Sequence, residues 1–273
     1  MKTTNRTQPQ SALQFFGLRY PPFADTFEIA EPYRCEAEQL IVDRTTTLLR
    51  QGKSVAVHGE AGTGKSMLVK TITGQLDTKE FRIAHIPYGG INPPAILRDL
   101  CDELDVDTAG RKNLLSRLAA DFARNTDKPF PVIVVDEAHE MQRQSFLDLC
   151  SLLHDKRSRT AAAALVLVGQ PVLKKMLELD IFAPVRTRLT CLFPMPRLCL
   201  EEAREFIGFR LKLAQAEKNL FEQEAIDCLA TDAKGNRRAM INLAALCLEE
   251  AARRADKVVT AEIVSDITLQ CQL

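Results

Sequence analysis

From residue 54 onward, short apolar runs alternate five times with longer amphipathic stretches, and nothing else in the chain restricts its fold as strongly. The runs SVAVHG, FRIAHIPYG, PVIVVDE, AALVLVGQ and TCLFPMP are short and apolar, mostly rich in β-branched residues, and each stops at a turn former or polar residue. That pattern predicts strands buried on both faces. Residues 65–76, 94–104, 114–125, 145–156 and 172–179 instead repeat apolar side chains at helical spacing,. Strand and helix in turn call for an α/β fold with a five-stranded, mainly parallel sheet covered by helices on both faces. After Pro194 and Pro196 the strand-like runs cease, and 201–216, 222–233, 237–255 and 261 to the end read as helices. Two prolines closing a strand run before an all-helical stretch mark a boundary. The expected parts are a polar, flexible tail (1–14), an α/β core (15–196) and a small helical lid (197–273).

Composition narrows the class. Thirty-six basic residues balance 36 acidic ones, so a nucleic-acid partner would have to bind through a local patch rather than through bulk charge,. No apolar run approaches the roughly 20 residues of a membrane helix, and MKTTNRTQPQS lacks the apolar stretch of a secretory signal, so a cytoplasmic protein is expected,. The eight cysteines form no CxxC pair and fall mostly within apolar runs, which suits reduced core thiols; the four histidines show no metal-ligand spacing,.

The strand SVAVH runs directly into GEAGTGKS, Gly59 to Ser66, and that segment into the helical MLVKTITGQL. A glycine-rich loop between strand and helix is the setting in which backbone N–H groups converge on phosphate oxygens at a helix N-terminus. The residues expected to line a nucleotide are Gly59, Glu60, Ala61, Gly62, Thr63, Gly64, Lys65, Ser66 and Met67. Lys65 should reach the β- and γ-phosphates of ATP, and Ser66 should ligate Mg²⁺. PVIVVDEAHEM then places Asp136 and Glu137 at the C-terminal edge of the sheet, where open α/β sheets bind ligands,. Asp136 should hold Mg²⁺, directly or through water, and Glu137 is suited to orient and deprotonate the attacking water. Asp136 to His139 also spell a DEAH box, but the other helicase motifs and a second core of that kind are missing from the 273 residues.

Five further residues are candidates. Gln170 ends AALVLVGQ, where its amide can sense the γ-phosphate or position water. Arg186 and Arg188 precede the last strand, where an arginine can reach a neighbouring subunit's nucleotide, with Arg188 slightly ahead. Arg237 and Arg238 open a helix in KGNRRAMINLA, with Arg238 favoured to fold over the phosphates. For each of these a solvated charge or polar strand end is the alternative. Tyr20 to Phe23 stand before the core as a guess at the adenine contacts.

Together these residues resemble the AAA+ ATPases, with Walker A at GEAGTGKS, Walker B at VIVVDE, a sensor-1 position at Gln170 and a sensor-2 position at Arg238. FFGLRYPPFADTFE is similar to the FGL-x-x-x-PF opening of the ExeA/GspA-type ATPases, which precedes a helix and then GE-x-GTGK; LVLVGQP looks like that branch's LVGQP stretch. The resemblance extends over nearly the whole chain from about Phe15. Arg237 departs from it, standing where many relatives carry proline. General-secretion members continue into a transmembrane helix and a periplasmic region, neither of which these residues contain. The resemblance therefore implies the short ATPases of transposons, similar in role to the Mu phage B protein: homo-oligomers, rings or filaments, that assemble on double-stranded DNA with ATP, mark a target and recruit a DDE transposase. DNA contact then falls to basic loops: Lys156, Arg157 and Arg159; Arg111 and Lys112; Lys174 and Lys175,. A secretion-type, envelope-assembly ATPase is the alternative, and a nucleotide-gated scaffold that hardly turns over is a third reading.

Overall fold

The computed structural model describes residues 11–24, 31–107, 113–124, 128–154, 160–216 and 219–271. The chain divides into two compact units, one of residues 36–196 and the other of residues 1–35 together with 197–273.

In the first unit the order is α2 (Glu36–Arg50), β1 (Ser54–His58), α3 (Lys65–Gly74), β2 (Phe81–Ile86), α4 (Pro93–Glu103), α5 (Leu114–Arg124), β3 (Phe130–Val135), α6 (Arg143–Leu152), β4 (Ala164–Gly169), α7 (Pro171–Glu178), α8 (Ala183–Arg186) and β5 (Leu189–Pro194). The strands lie in the order β2-β3-β4-β1-β5 and every neighbouring pair is parallel. All five expected strands are present, in the parallel sheet their alternation with helices implied.

Side-chain alternation divides the core. Val55, Val57, Val132, Val134, Val166 and Val168 share one buried cluster with Leu49 of α2 and Leu68, Val69 and Ile72 of α3. Ala56, Ile133, Val135, Leu165 and Leu167 share another with residues of α4 to α8, among them Leu100, Leu118, Phe146 and Leu173. A period-two strand sends successive side chains to opposite faces, so continuous apolar runs are what a sheet covered on both faces requires. Arg82 of β2 ties α5 to the sheet: it pairs with the Asp121 carboxylate and its guanidinium lies 5.5 Å from the Phe122 ring centroid.

The second unit is helical: α1 (Ala12–Phe16), α9 (Leu200–Leu213), α10 (Gln223–Asp232), α11 (Arg237–Arg254) and α12 (Ala261–Cys271). Here the structure corrects the expected partition. Residues 15–35 go with the helical unit rather than the core, and residues 12–14, expected as tail, begin a helix capped by Ser11, whose side chain accepts from the Gln14 N–H. The reason is packing and hydrogen bonding. Leu18, Phe23 and Cys35 are buried in the helical unit's own core, Phe23 sits edge-on to Phe221 with centroids 5.8 Å apart, and the buried Arg210 donates to the carbonyls of Pro22 (2.6 Å) and Ala24 (3.2 Å). Phe23 is thus a packing residue of that unit, although its sequence position suggested an adenine contact. Among the described residues no helix is long and apolar enough to cross a membrane.

Candidate active site

Strand order decides which loops meet. β4 lies between β1 and β3, so the loop after β1, the acidic end of β3 and Gln170 at the end of β4 emerge side by side. Gly59 follows β1 and donates its N–H to the Gly169 carbonyl at 3.1 Å. A Cβ here would stand 2.5 Å from Cβ of Met195, just beyond β5, so only glycine lets the two backbones approach. The loop closes on itself through Thr63, whose hydroxyl donates to the Glu60 carbonyl at 2.8 Å. Gly64 caps α3 at φ 100°, left-handed backbone that suits glycine, and no side chain caps the helix,. The first N–H groups of α3 therefore face the loop with the positive end of the helix dipole behind them, which is the arrangement that favours an anion.

Lys65, the first residue of α3, is 5 % exposed, and its ammonium donates to the carbonyls of Gly59 (3.0 Å) and Glu60 (2.9 Å). Those carbonyls satisfy a buried charge inside the loop; phosphate oxygens would be stronger acceptors for it. The Ser66 hydroxyl donates to Oδ2 of the buried Asp136 at 2.8 Å. Hydroxyl and carboxylate side by side form a hard-oxygen pair of the type Mg²⁺ prefers, and water and phosphate oxygens would supply its remaining ligands. The other Asp136 oxygen accepts the Glu137 N–H at 2.9 Å. Glu60, Ala61 and Met67 lie exposed around the loop, and Gly62 half-buried within it.

Glu137 stands at φ 48°, an uncommon conformation for a non-glycine residue, and begins a 3-10 turn of Ala138–Glu140,. That turn swings His139 back so that its Nδ1 lies 3.2 Å from Glu137 Oε2 and 3.4 Å from the Gln170 backbone N–H, while Nε2 lies 3.3 Å from Glu140. The sequence singled out His139 only as a letter of the DEAH box. Its contacts with Glu137 and Glu140 come from the local turn, but the one with Gln170, one strand over, is a relation that strand order creates. His58, at the end of β1, is held below its ordinary value by burial and by the Lys174 ammonium, with Glu178 opposing.

The two arginine pairs separate by environment. Arg186 donates to the carbonyls of Leu177 (3.1 Å) and Glu178 (2.9 Å) and so closes the end of α7. Arg188 is exposed, with its guanidinium 3.1 Å from Nδ1 of His154; burial and that guanidinium lower the His154 pKa. In the helical unit Arg237 is buried with its guanidinium 6.0 Å from the Phe206 ring centroid, whereas Arg238 is exposed. Lys174 and Lys175 are exposed on α7; the other two basic clusters, at 111–112 and 156–159, lie outside the described residues.

Comparison with known proteins agrees with this geometry. Residues 48–177 match the model of an AAA domain. The chain is 28% identical over 259 residues to the general secretion pathway protein A of Aeromonas hydrophila, covering 92% of this chain and 47% of that one, so it spans about half the length of this curated relative. Among solved structures, Cdc6p from Pyrobaculum aerophilum matches with a TM-score of 0.67 at 15% identity, over 91% of this chain and 70% of that one. Drosophila ORC bound to DNA matches with a TM-score of 0.68 at 18% identity, over 100% of this chain and 70% of that one. Residues 48–177 therefore carry an AAA domain, the described structure has the P-loop fold seen in AAA+ proteins, and the chain has homology to a general secretion pathway A protein.

Proposed function

We propose that this chain is a cytoplasmic, Mg²⁺-dependent AAA+ ATPase that assembles on duplex DNA in its ATP-bound state and regulates transposition by recruiting a DDE transposase. The observation that carries the ATPase chemistry is the convergence of the Lys65 ammonium, the Ser66–Asp136 pair and Glu137 at one end of the parallel sheet. Lys65 and the N–H groups of the loop would hold the phosphates, and Ser66 and Asp136 would hold Mg²⁺, which would supply charge neutralisation to the phosphates. Glu137 would take the proton of the attacking water. Gln170 would contact the γ-phosphate, and Arg238 is assigned the sensor-2 contact to the nucleotide. Arg188, exposed and with its guanidinium beside a histidine ring, is the better candidate to act on a neighbouring copy's nucleotide; Arg186 is committed to the end of α7.

Support for DNA comes from the fold's likeness to a complex bound to DNA and from the exposed Lys174 and Lys175. The FGL-x-x-x-PF, GEAGTGKS and LVGQP segments support the ExeA/GspA-type branch, which the short transposon ATPases and the secretion-type ones share. A second reading, an envelope-assembly ATPase, is favoured by the relative from Aeromonas hydrophila. The test is fluorescence anisotropy of a labelled duplex of arbitrary sequence with ATP, ADP or no nucleotide. The transposition reading expects binding that needs ATP, falls steeply with salt and disappears in Lys65→Ala. Absence of binding with ATP removes that reading and leaves the envelope one.

A further inference from the structure

We infer that His139 is a positioning residue for Glu137, holding its carboxylate through Nδ1 and exchanging that contact for the backbone N–H of Gln170. The inference rests on the reading of Glu137 as the residue that activates water. Nδ1 lies 3.2 Å from Glu137 Oε2 and 3.4 Å from the Gln170 nitrogen. One ring nitrogen cannot serve both: it must carry a proton to donate to the carboxylate and must be bare to accept from the amide. With the Gln170 N–H engaged, Glu137 Oε2 is a buried oxygen with no hydrogen-bond partner among the described residues. A buried carboxylate oxygen without a donor is costly, so the structure shows the arrangement in which Glu137 is released, and the alternative in which it is held lies one proton placement away.

Burial and polar neighbours fix what the His139 ring can do. Its side chain is 7 % exposed, and its second nitrogen faces Glu140 Oε1 at 3.3 Å. Among the described residues, the ring thus meets Glu137, Glu140 and the Gln170 N–H as polar partners. Because Gln170 ends β4, between the strands that carry the P-loop and Asp136, a change at its backbone reaches Glu137 through one ring. Hydrolysis would then be tuned at the orientation of the general base, without a change in phosphate binding.

The experiment uses His139→Ala, His139→Asn and His139→Gln in the full chain, each with and without Glu137→Gln, reading kcat, KM for ATP and the Kd of a fluorescent ADP analogue. An Asn amide can take the place of Nδ1, and a Gln amide that of Nε2. His139→Ala and His139→Gln should lower kcat about tenfold or more with the nucleotide Kd unchanged. His139→Asn should recover most of the rate, and no His139 substitution should lower kcat further once Glu137 is Gln. If His139→Asn falls as far as His139→Ala, or if the losses add to that of Glu137→Gln, His139 has only a packing role and the inference is overturned. If Glu137→Gln itself leaves kcat unchanged, the assignment of the base fails first.

Discussion

Two residues with similar charge and neighbouring positions can do different work, and the arginines before β5 show how. Arg186 donates to two carbonyls at the end of α7, so Arg186→Ala should leave those acceptors short of a donor and lower unfolding stability by about 1–2 kcal/mol. Arg188 is exposed and its guanidinium lies against the His154 ring. Arg188→Ala should therefore leave the urea midpoint in place while lowering turnover roughly a thousandfold at concentrations where copies associate; an equal loss for both variants in urea titration would contradict this division. Glu137→Gln should keep the nucleotide Kd within about twofold and lower kcat by about a hundredfold or more, as expected for removal of a general base. Stopped-flow binding and steady-state turnover separate those two effects.

At the scale of elements, the five strands were legible because a parallel strand buried on both faces needs an unbroken apolar run, and Val132 to Val135 or Leu165 to Val168 have no other use. The P-loop was legible because its glycines and Lys65 are spaced by the requirements of a strand-to-helix turn. What escapes a reading of the sequence depends on contacts between distant segments. Nothing local announces that Arg210 reaches Pro22 and Ala24, 188 and 186 residues away, or that His139 meets the residue after β4. α1 is hidden for a different reason: its five residues give too short a period to recognise. Two predictions belong here. Phe146, fully buried and edge-on to Phe182 at 5.3 Å, should cost about 3–5 kcal/mol on replacement by alanine in equilibrium urea unfolding. Arg210→Met should free the stretch around Pro22 from α9 and speed tryptic cleavage at Arg19, leaving the nucleotide Kd of the 36–196 unit unchanged.

For the whole molecule, pH acts through groups spread over both units. Burial pushes the thiol of Cys150 up to about 11 and that of Cys247 up to about 12. The unfolded chain ionises these thiols first, so stability they contribute is complete below about 8.5 and declines as pH rises beyond it. His58 and His154 are shifted the other way; the unfolded chain binds their protons first, and stability falls as pH drops below about 6.5. Asp121 is partly buried, which alone would raise its pKa, but the Arg82 and Lys128 pairings outweigh this and hold it below the usual carboxylate range, so a further loss begins below about pH 4,. Thermal melts of the nucleotide-free protein should show a plateau between about pH 6.5 and 8.5 with decline on either side.

The P-loop and its acidic partners lie in one unit, and the arginines proposed to sense the nucleotide are divided, Arg188 in that unit and Arg238 in the helical one. In the proposed assembly, hydrolysis would serve as a signal about association between copies. The most direct measurement is the steady-state rate of ATP hydrolysis with and without duplex DNA, for wild type and Lys65→Ala. Turnover that DNA raises severalfold in the wild type, and that is absent in Lys65→Ala under both conditions, supports an ATPase that works on DNA; turnover indifferent to DNA, or surviving without Lys65, contradicts it.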